Sequence, residues 1–195
     1  MKIGYDAKRM FHNSSGLGNY SRTMLRIIAH AHGKFKLNLY VSKPKKHKDL
    51  KFIDSNHNIS IKTPSSLLAK VLPFLWRSFF VSKQAKKEMI DIYHGLSNEL
   101  PFGLKKKGIK SVVTIHDLIF LRAPEQYTAI DRFIYNFKSK YACKHADKII
   151  AISEQTKKDI IHFYGIDPEK IKVIYQTCHQ AFKKEASQVH KNSLK

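Results

Sequence analysis

Strand-like and helix-like segments alternate along almost the whole chain, and this order limits the folds that the chain can adopt. Short runs rich in apolar and β-branched residues, such as residues 2–6 and 110–115, are typical of strands. Between such runs, apolar residues recur every three or four positions, which is typical of amphipathic helices. Alternating strands and helices form a parallel sheet with helices on both faces. The sequence therefore predicts an α/β fold, a Rossmann-like doubly wound parallel sheet.

The predicted elements occupy residues 1–182, which we assign to one domain. Residues 183–195 are polar and lack a period, and they are assigned to the start of an interdomain linker or to a tail. Strands are predicted at residues 2–6, 35–41, 59–61, 91–94, 110–115, 148–152 and 171–175. Helices are predicted at 17–31, from 65 onward, at 127–141 and at 153–164, with a lysine-rich loop at 42–51.

Composition limits the class of partner more than it limits the fold. The chain has 195 residues, of which 43% are hydrophobic, so it is long and apolar enough to fold around a core. Lys and Arg number 36 against 15 Asp and Glu, which gives a formal net charge of +21. Such a charge favours an anionic partner. The charge alone does not decide whether that partner is nucleic acid, an anionic lipid surface or a phosphorylated substrate.

The cysteines and the first residues indicate the compartment. Cys143 and Cys178 fit neither a metal-binding spacing nor a disulfide framework. Met1 and Lys2 lead straight into the first strand without the pattern of a signal peptide. No apolar run approaches the ~20 residues that a membrane-spanning helix needs. We therefore expect a cytoplasmic protein without a membrane span.

A glycine-containing loop follows the first predicted strand and opens a helix. Gly16, Leu17 and Gly18 would let backbone N–H groups approach a phosphate at the helix N-terminus. Ser21 occupies the position of the third glycine of a dinucleotide-binding fingerprint, so that fingerprint is incomplete. The alternative is a turn that tolerates glycine and binds nothing.

Two further strands end in polar residues. His116 and Asp117 follow the most β-branched strand, where ligands of parallel sheets bind. A histidine there can donate to a phosphate or a sugar hydroxyl, or exchange protons. His94, Ser97, Asn98 and Glu99 follow the preceding strand and can hydrogen-bond a polyhydroxy substrate. The alternatives are an aspartate that caps the next turn, a histidine that fills a polar gap and an ordinary polar turn.

In their order and spacing, these segments resemble the N-terminal, acceptor-side domain of the retaining glycosyltransferases of family four. That family includes many mannosyltransferases of bacterial polysaccharide synthesis. Two positions depart from the family pattern: Lys8 stands where Arg is common, and residues 175–178 replace an Asn-Gly type of turn. The segments that carry the resemblance are 3–8, 15–20, 93–101, 116–125, 146–153 and 171–182.

The resemblance implies one half of a two-domain enzyme of the glycosyltransferase B type. A GDP- or UDP-linked sugar would lie between the domains and pass to a sugar or lipid-linked acceptor. No metal would be required, because protein groups neutralise the departing diphosphate. In the family those groups, a basic residue and a Glu-x7-Glu motif, belong to a C-terminal donor-binding domain that lies outside these 195 residues. We therefore expect a hexosyltransferase whose present chain is inactive alone.

The resemblance also implies roles for individual residues. The turn that opens the first long helix would approach the donor diphosphate, and the histidine after the fifth strand would lie near the transferred sugar. The predicted roles are catalytic for His116 and Asp117, donor-phosphate binding for Lys8, Gly16, Leu17 and Gly18, and acceptor binding for Asn19, Tyr20, His94, Ser97 and Asn98.

One apolar, aromatic segment has two interpretations. Residues 67–80 include four aromatic side chains and lie beside Lys70, Arg77, Lys83 and neighbouring lysines. A basic, aromatic surface of this kind binds an anionic leaflet, which would attach the protein to the inner face of the cytoplasmic membrane. The alternative is a core helix with a solvated face.

Two rival functions remain at this level. A nucleic-acid-binding module would fit the charge and the aromatic content, but the basic residues are dispersed and form no recognised motif, so no nucleic-acid partner is expected. A nucleotide-cofactor enzyme of the Rossmann type would need an acidic residue after the second strand. Val41, Ser42 and Lys43 stand there instead.

Overall fold

The computed structural model describes residues 1–31, 33–46, 48–65 and 71–177. Seven parallel strands form a single sheet with the order β3-β2-β1-β4-β5-β6-β7. This order confirms the predicted doubly wound parallel sheet. The strands are β1 (Lys2–Asp6), β2 (Lys36–Tyr40), β3 (Ile59–Lys62), β4 (Ile92–Gly95), β5 (Lys110–Ile115), β6 (Lys148–Ala151) and β7 (Ile171–Val173).

Helices connect the strands. The α-helices are α1 (Lys8–His12), α2 (Gly16–Ala31), α3 (Lys51–Asp54), α4 (Pro73–Leu75), α5 (Val81–Lys87), α6 (Ile119–Arg122), α7 (Ala129–His145) and α8 (Glu154–Tyr164). A π-helical turn, Trp76–Phe80, joins α4 to α5 without a break. Short 3₁₀ turns lie at Lys48–Leu50, Lys105–Lys107, Pro124–Gln126 and Pro168–Lys170.

The predicted boundaries of the last helix are confirmed. The Ser153 hydroxyl accepts a hydrogen bond from the Thr156 N–H at 3.1 Å and so caps the start of α8. Gly165 ends the helix with φ of 62°, in the left-handed region that glycine adopts without steric cost. Local sequence signals therefore suffice to begin and end this helix.

Two short helices were not predicted. Residues 42–51 were expected to form a loop, but part of this range forms the 3₁₀ turn and α3 begins at its end. Leu50 and Ile53 are buried there, and Met10 and Phe11 of α1 are buried likewise. These helices are too short to show a period, and burial of two apolar side chains each holds them in place. Of the helix predicted from residue 65 onward, residues 66–70 lie outside the described residues.

Helices cover both faces of the sheet. On one face, α1, α2 and α3 pack their buried side chains, such as Leu25 and Ile53, against Leu37 and Leu39 of β2. On the other face, α5, α7 and α8 pack against Val113 and its neighbours. Because side chains alternate along a strand, residues two apart share a face. Thr114 and His116 therefore point to the face that α2 covers.

Candidate active site

Three chain segments meet where β1, β4 and β5 end. These strands are neighbours in the sheet, and the strand order reverses between β1 and β4. Ligands of doubly wound sheets bind at such a switch point, outside the carboxyl ends of the strands. Asp6 ends β1, residues 96–99 follow β4 and His116 follows β5. The first turn of α2 lies over the same edge, because its Tyr20 contacts His116.

The two glycines at the start of α2 have different environments. A Cβ on Gly18 would overlap the carbonyl oxygen of Asn13, whereas a Cβ on Gly16 would meet nothing within 4 Å. Arg22 holds the same loop, because its Nη1 donates to the carbonyls of Asn13 at 2.9 Å and Met10 at 2.8 Å. Gly18 is therefore required for close packing of the loop on the helix, and Gly16 leaves the turn open.

The first turn of α2 presents unpaired backbone donors. The first N–H groups of an α-helix have no intrahelical acceptor, and they carry partial positive charge. Asn13 shapes the entry to this turn, since its Oδ1 accepts from the backbone N–H of Ser15 at 2.8 Å. Gly16 itself is exposed. The predicted phosphate-binding residues thus form a helix N-terminus at which Gly16 is open to an anion, Leu17 is half-buried and Gly18 is buried.

His116 lies beside this turn, but its ring is held by protein groups. The imidazole is 6% exposed, and its edge contacts Tyr20 with ring centroids 4.8 Å apart. Nε2 lies 2.9 Å from the carbonyl oxygen of Leu96, and Nδ1 lies 2.9 Å from Nε2 of Gln176. Because a carbonyl only accepts, Nε2 carries the proton and Nδ1 accepts from the glutamine amide.

The electrostatic surroundings of His116 favour this neutral form. Burial lowers the pKa of His116, while the bond to the Leu96 carbonyl and the charge of Asp117 act in the opposite direction. The net pKa lies below the ordinary value of histidine. The ring thus lies near the first turn of α2, and its geometry suits positioning more than proton exchange; its catalytic role stays a prediction.

A second histidine lies deeper in the same layer. His94 is 7% exposed, and its Nε2 shares a hydrogen bond of 2.9 Å with the hydroxyl of Thr114. The Tyr20 hydroxyl lies 3.2 Å from the same oxygen. Burial lowers the pKa of His94 to about 4. The structure therefore places this predicted acceptor ligand beneath α2, in a hydrogen-bonded chain; its contact with an acceptor stays a prediction.

Asn98 fixes the backbone around the end of β5. It adopts a left-handed conformation with φ of 58°. Its side chain accepts from the backbone N–H of His116 at 2.9 Å and donates to the carbonyl of Asp117 at 3.1 Å. The Asp117 carboxylate in turn accepts from the N–H of Ile119 at 3.2 Å. Asn98 and Asp117 therefore hold the loop that carries the imidazole.

A chain of alternating charges, which the sequence did not predict, runs along this edge. Nη2 of Arg77 donates to Asp6 at 2.6 Å and to Glu99 at 3.2 Å, and Lys138 donates to Glu99 at 3.2 Å. The Arg77 side chain is only 11% exposed. The membrane interpretation counted Arg77 among the basic surface residues, and its burial between two carboxylates makes that assignment wrong.

Arg77 also controls the charge at the end of β1. Burial alone would raise the pKa of Asp6, but the charge and hydrogen bond of Arg77 hold that pKa below its usual range. The N–H of Lys8 adds a bond of 3.1 Å to the same carboxylate. Burial lowers the pKa of the Lys8 ammonium, and the neighbouring Arg77 charge lowers it further. The Lys8 side chain is exposed at the rim of the edge.

Two cavities flank the first turn of α2. The smaller has a volume of about 220 Å³, and Arg9, Glu99 and Lys138 contribute to its lining. Five of the predicted residues also line it: Leu17, Ser97, Asn98, His116 and Asp117. The larger, of about 510 Å³, lies between α2 and the chain after β7, and its lining includes Gly16, Asn19, Tyr20 and Gln176. Most predicted site residues thus line one of two adjoining cavities.

Several residues of this edge were missed by the sequence analysis. Arg9 directly follows Lys8 and was not singled out, and Glu99 was considered as a hydrogen-bonding residue of its segment but was assigned no role in the site. Arg77, Lys138 and Gln176 come from distant parts of the chain, so no local pattern marks them. Among the ranges that the structure describes, no group of three His, Cys, Asp or Glu side chains could hold a metal ion. Metal independence stays a prediction.

Comparison with known proteins identifies the class. A parallel sheet of this order, with helices on both faces, defines a Rossmann-like α/β domain. The sequence profile of Glycosyltransferase Family 4 matches residues 43–177. The chain therefore belongs to glycosyltransferase family 4, and the predicted family resemblance is confirmed. No relative among the curated proteins matches the chain.

Solved structures support the same fold. HepE of Anabaena, solved with UDP and glucose, superposes with a TM-score of 0.58 at 17% identity over 100% of this chain and 50% of that chain. A further HepE structure contains UDP-glucose, with a TM-score of 0.58 at 16% identity and the same coverage. A glycosyltransferase of Rickettsia africae gives a TM-score of 0.54 at 15% identity, over 98% and 48% of the chains. The chain thus spans about half the length of these proteins.

Proposed function

We propose that this chain is the N-terminal, acceptor-side domain of a retaining glycosyltransferase. The enzyme would move a hexose, with mannose and glucose as candidates, from a UDP- or GDP-linked donor to a polysaccharide or lipid-linked acceptor. Family membership and the UDP and UDP-glucose held by HepE support a nucleotide-sugar donor. The observation that carries the proposal is the open first turn of α2 beside His116 at one sheet edge.

The helix N-terminus would act on the leaving group. During transfer, the bond between the sugar C1 and the diphosphate oxygen breaks, and a bond from the acceptor oxygen to C1 forms on the same face of the sugar, while the acceptor hydroxyl gives its proton to the departing diphosphate. Negative charge grows on the departing diphosphate. The free N–H groups of Gly16, Leu17 and Gly18 would stabilise that charge, and one well-placed donor is worth ~3 kcal/mol in a dry site. Lys8 and Arg9 would add positive charge at the rim.

The imidazole would orient the sugar. Its neutral ring is fixed by Leu96 and Gln176, so its position relative to α2 is set before substrate arrives. Asn19, Tyr20, Ser97 and Asn98 would bind acceptor hydroxyls from the adjoining cavities, and Asp117 would hold the loop. In an enzyme that joins this chain to its donor-binding domain, His116→Ala should lower kcat far more than it raises the donor KM. An unchanged kcat would show that His116 is not part of the active site.

Binding can be tested on the chain itself. We would titrate ¹⁵N-labelled protein with UDP-glucose, GDP-mannose and UDP, and follow the amide signals of residues 16–18 and the imidazole of His116 by NMR. We expect the nucleotide diphosphates to shift these signals together. As the control matched to His116→Ala, a His162→Ala variant removes an exposed imidazole elsewhere in the chain. Shifts confined to surface lysines would contradict the proposed donor site.

The same titration separates the rival functions. A single-stranded oligonucleotide that bound with a steep salt dependence and shifted dispersed basic residues would favour the nucleic-acid module. NAD that displaced UDP-glucose from residues 16–18 would favour a cofactor enzyme. The residues after β2 argue against a cofactor enzyme, because Val41 is buried there and Ser42 and Lys43 follow without an acidic residue.

A further inference from the structure

One side of the molecule exposes a continuous set of large apolar side chains. They come from two segments far apart in sequence, the region around the π-helical turn and the first half of α7, and we call them together the aromatic face. Val71 is 74% exposed and Phe133 is 72% exposed. The members are Val71, Leu72, Phe74, Leu75, Phe79, Phe80, Ile130, Phe133, Ile134 and Phe137.

Ring contacts join the two segments. Phe102 lies between them, with its ring centroid 4.9 Å from that of Phe79 and 6.2 Å from that of Phe137. Lys138 of α7 lies over the Phe74 ring at 4.9 Å from its centroid. These contacts place the two segments side by side. Soluble proteins rarely leave apolar patches larger than a few hundred Å² exposed unless the patch binds something.

A basic groove continues from the aromatic face. Its volume is about 730 Å³, and its walls combine Phe79, Phe102 and Tyr141 with the three consecutive lysines Lys105–Lys107. Lys105 and Lys106 are exposed. His145 stacks on Tyr141 with ring centroids 4.0 Å apart and also lines the groove. Aromatic and cationic groups thus adjoin on one side of the molecule.

We propose that the aromatic face and this lysine groove together dock on an anionic membrane leaflet. The apolar side chains would enter the boundary between headgroups and acyl chains, and Lys105–Lys107 would contact lipid phosphates. This proposal goes beyond the catalytic function, because none of its residues borders the sheet-edge cavities. The proposed surface also differs from the membrane-binding segment predicted from the sequence. Two residues of that segment are buried, since Trp76 is 2% exposed and Arg77 forms a buried ion pair with Asp6.

Charge and position favour a membrane over the other occupants. A second copy of a chain with a net charge of +21 would bring like charges together across the lysine groove. A donor-binding domain would cover the carboxyl edge of the sheet. The aromatic face instead lies along the side of the sheet. It extends from Lys138, near the carboxyl edge, to the lysine groove, whose lining includes Ser111 at the start of β5.

Vesicle co-sedimentation of the chain tests the proposal. We expect binding to phosphatidylcholine vesicles that contain phosphatidylglycerol and little binding to pure phosphatidylcholine. The double variant Lys105→Gln/Lys106→Gln should lower the partition coefficient roughly 30-fold, because each basic residue near the surface contributes about 1 kcal/mol. Lys45→Gln/Lys46→Gln makes the same charge change on exposed lysines of the opposite side and should have a much smaller effect.

A second pair of variants tests the apolar part. Phe133→Ser should lower the partition coefficient about tenfold, whereas Ile27→Ser, an exposed apolar residue of α2 on the opposite face, should leave it unchanged. Thermal unfolding of each variant verifies that it is folded. Equal losses in both members of either pair, or equal binding to neutral vesicles, would overturn the proposal.

Other outcomes identify another occupant or keep the two proposals separate. Absence of vesicle binding together with a dimer that Phe133→Ser dissociates in sedimentation velocity would assign the aromatic face to self-association and overturn membrane docking. The titration with UDP-glucose uses a different edge and does not depend on these residues. Failure of one proposal is therefore distinguishable from failure of the other.

Discussion

The buried His94 makes the stability of the domain depend on pH in a defined direction. Burial lowers the pKa of this imidazole from 6.5 to about 4. In the unfolded chain the imidazole binds a proton below pH 6.5, but in the folded domain it remains neutral until about pH 4. The unfolded state therefore binds more protons in this window, and stability falls as the pH is lowered through it.

The size of the effect follows from the same two values. A pKa that differs by about 2.5 between the unfolded and folded states corresponds to about 3 kcal/mol, at 1.36 kcal/mol for each pKa unit. This stability is fully present above pH 6.5, declines as the pH falls and is lost near pH 4. Other groups titrate in the same range, so the contribution of His94 is isolated by comparison with a variant that lacks it.

The assay is urea unfolding at a series of pH values between 4 and 7.5. His94→Gln is the informative variant, because a glutamine amide can keep the hydrogen bond to Thr114 but does not titrate. Its free energy of unfolding should change less with pH than that of the unchanged chain, by about 3 kcal/mol over the window. His57→Gln removes an exposed imidazole and provides the control. Parallel pH curves for the unchanged chain and His94→Gln would refute the argument.

Three further predictions follow from the packing of the site. Gly18→Ala should lower the free energy of unfolding in urea by about 1–3 kcal/mol, because its Cβ overlaps a carbonyl oxygen. Gly16→Ala should leave that free energy unchanged or raise it by up to ~1 kcal/mol. Equal effects of the two substitutions would contradict this prediction. Arg77→Met should lower the free energy of unfolding by about 3–5 kcal/mol, because it leaves the buried Asp6 carboxylate uncompensated while Glu99 keeps only Lys138, and a loss below 1 kcal/mol would show that the ion pairs matter little. Gln176→Ala should leave Nδ1 of His116 without its donor and shift the imidazole ¹⁵N signals, and unchanged signals would exclude the bond.

The fold was largely readable from local patterns. The bounds of β5 and both ends of α8 agree with the prediction, because β-branched runs, a serine cap and a glycine end act within a few residues of the chain. The short helices α1 and α3 were missed. Their stability comes from burial of single side chains such as Met10 and Ile53 against distant strands, which no local pattern shows.

The sequence by itself determined which residues stand at the strand ends. Because consecutive strand residues alternate between faces, the spacing of Thr114 and His116 already put both on one side of the sheet. Only the tertiary structure decided what surrounds them. The strand order brought Tyr20 and Gln176 to the imidazole, and it joined Asp6, Arg77 and Glu99 into one buried ion-pair chain. Such partners lie tens of residues apart, and their meeting depends on how the strands are ordered, which chain-local periodicity does not encode.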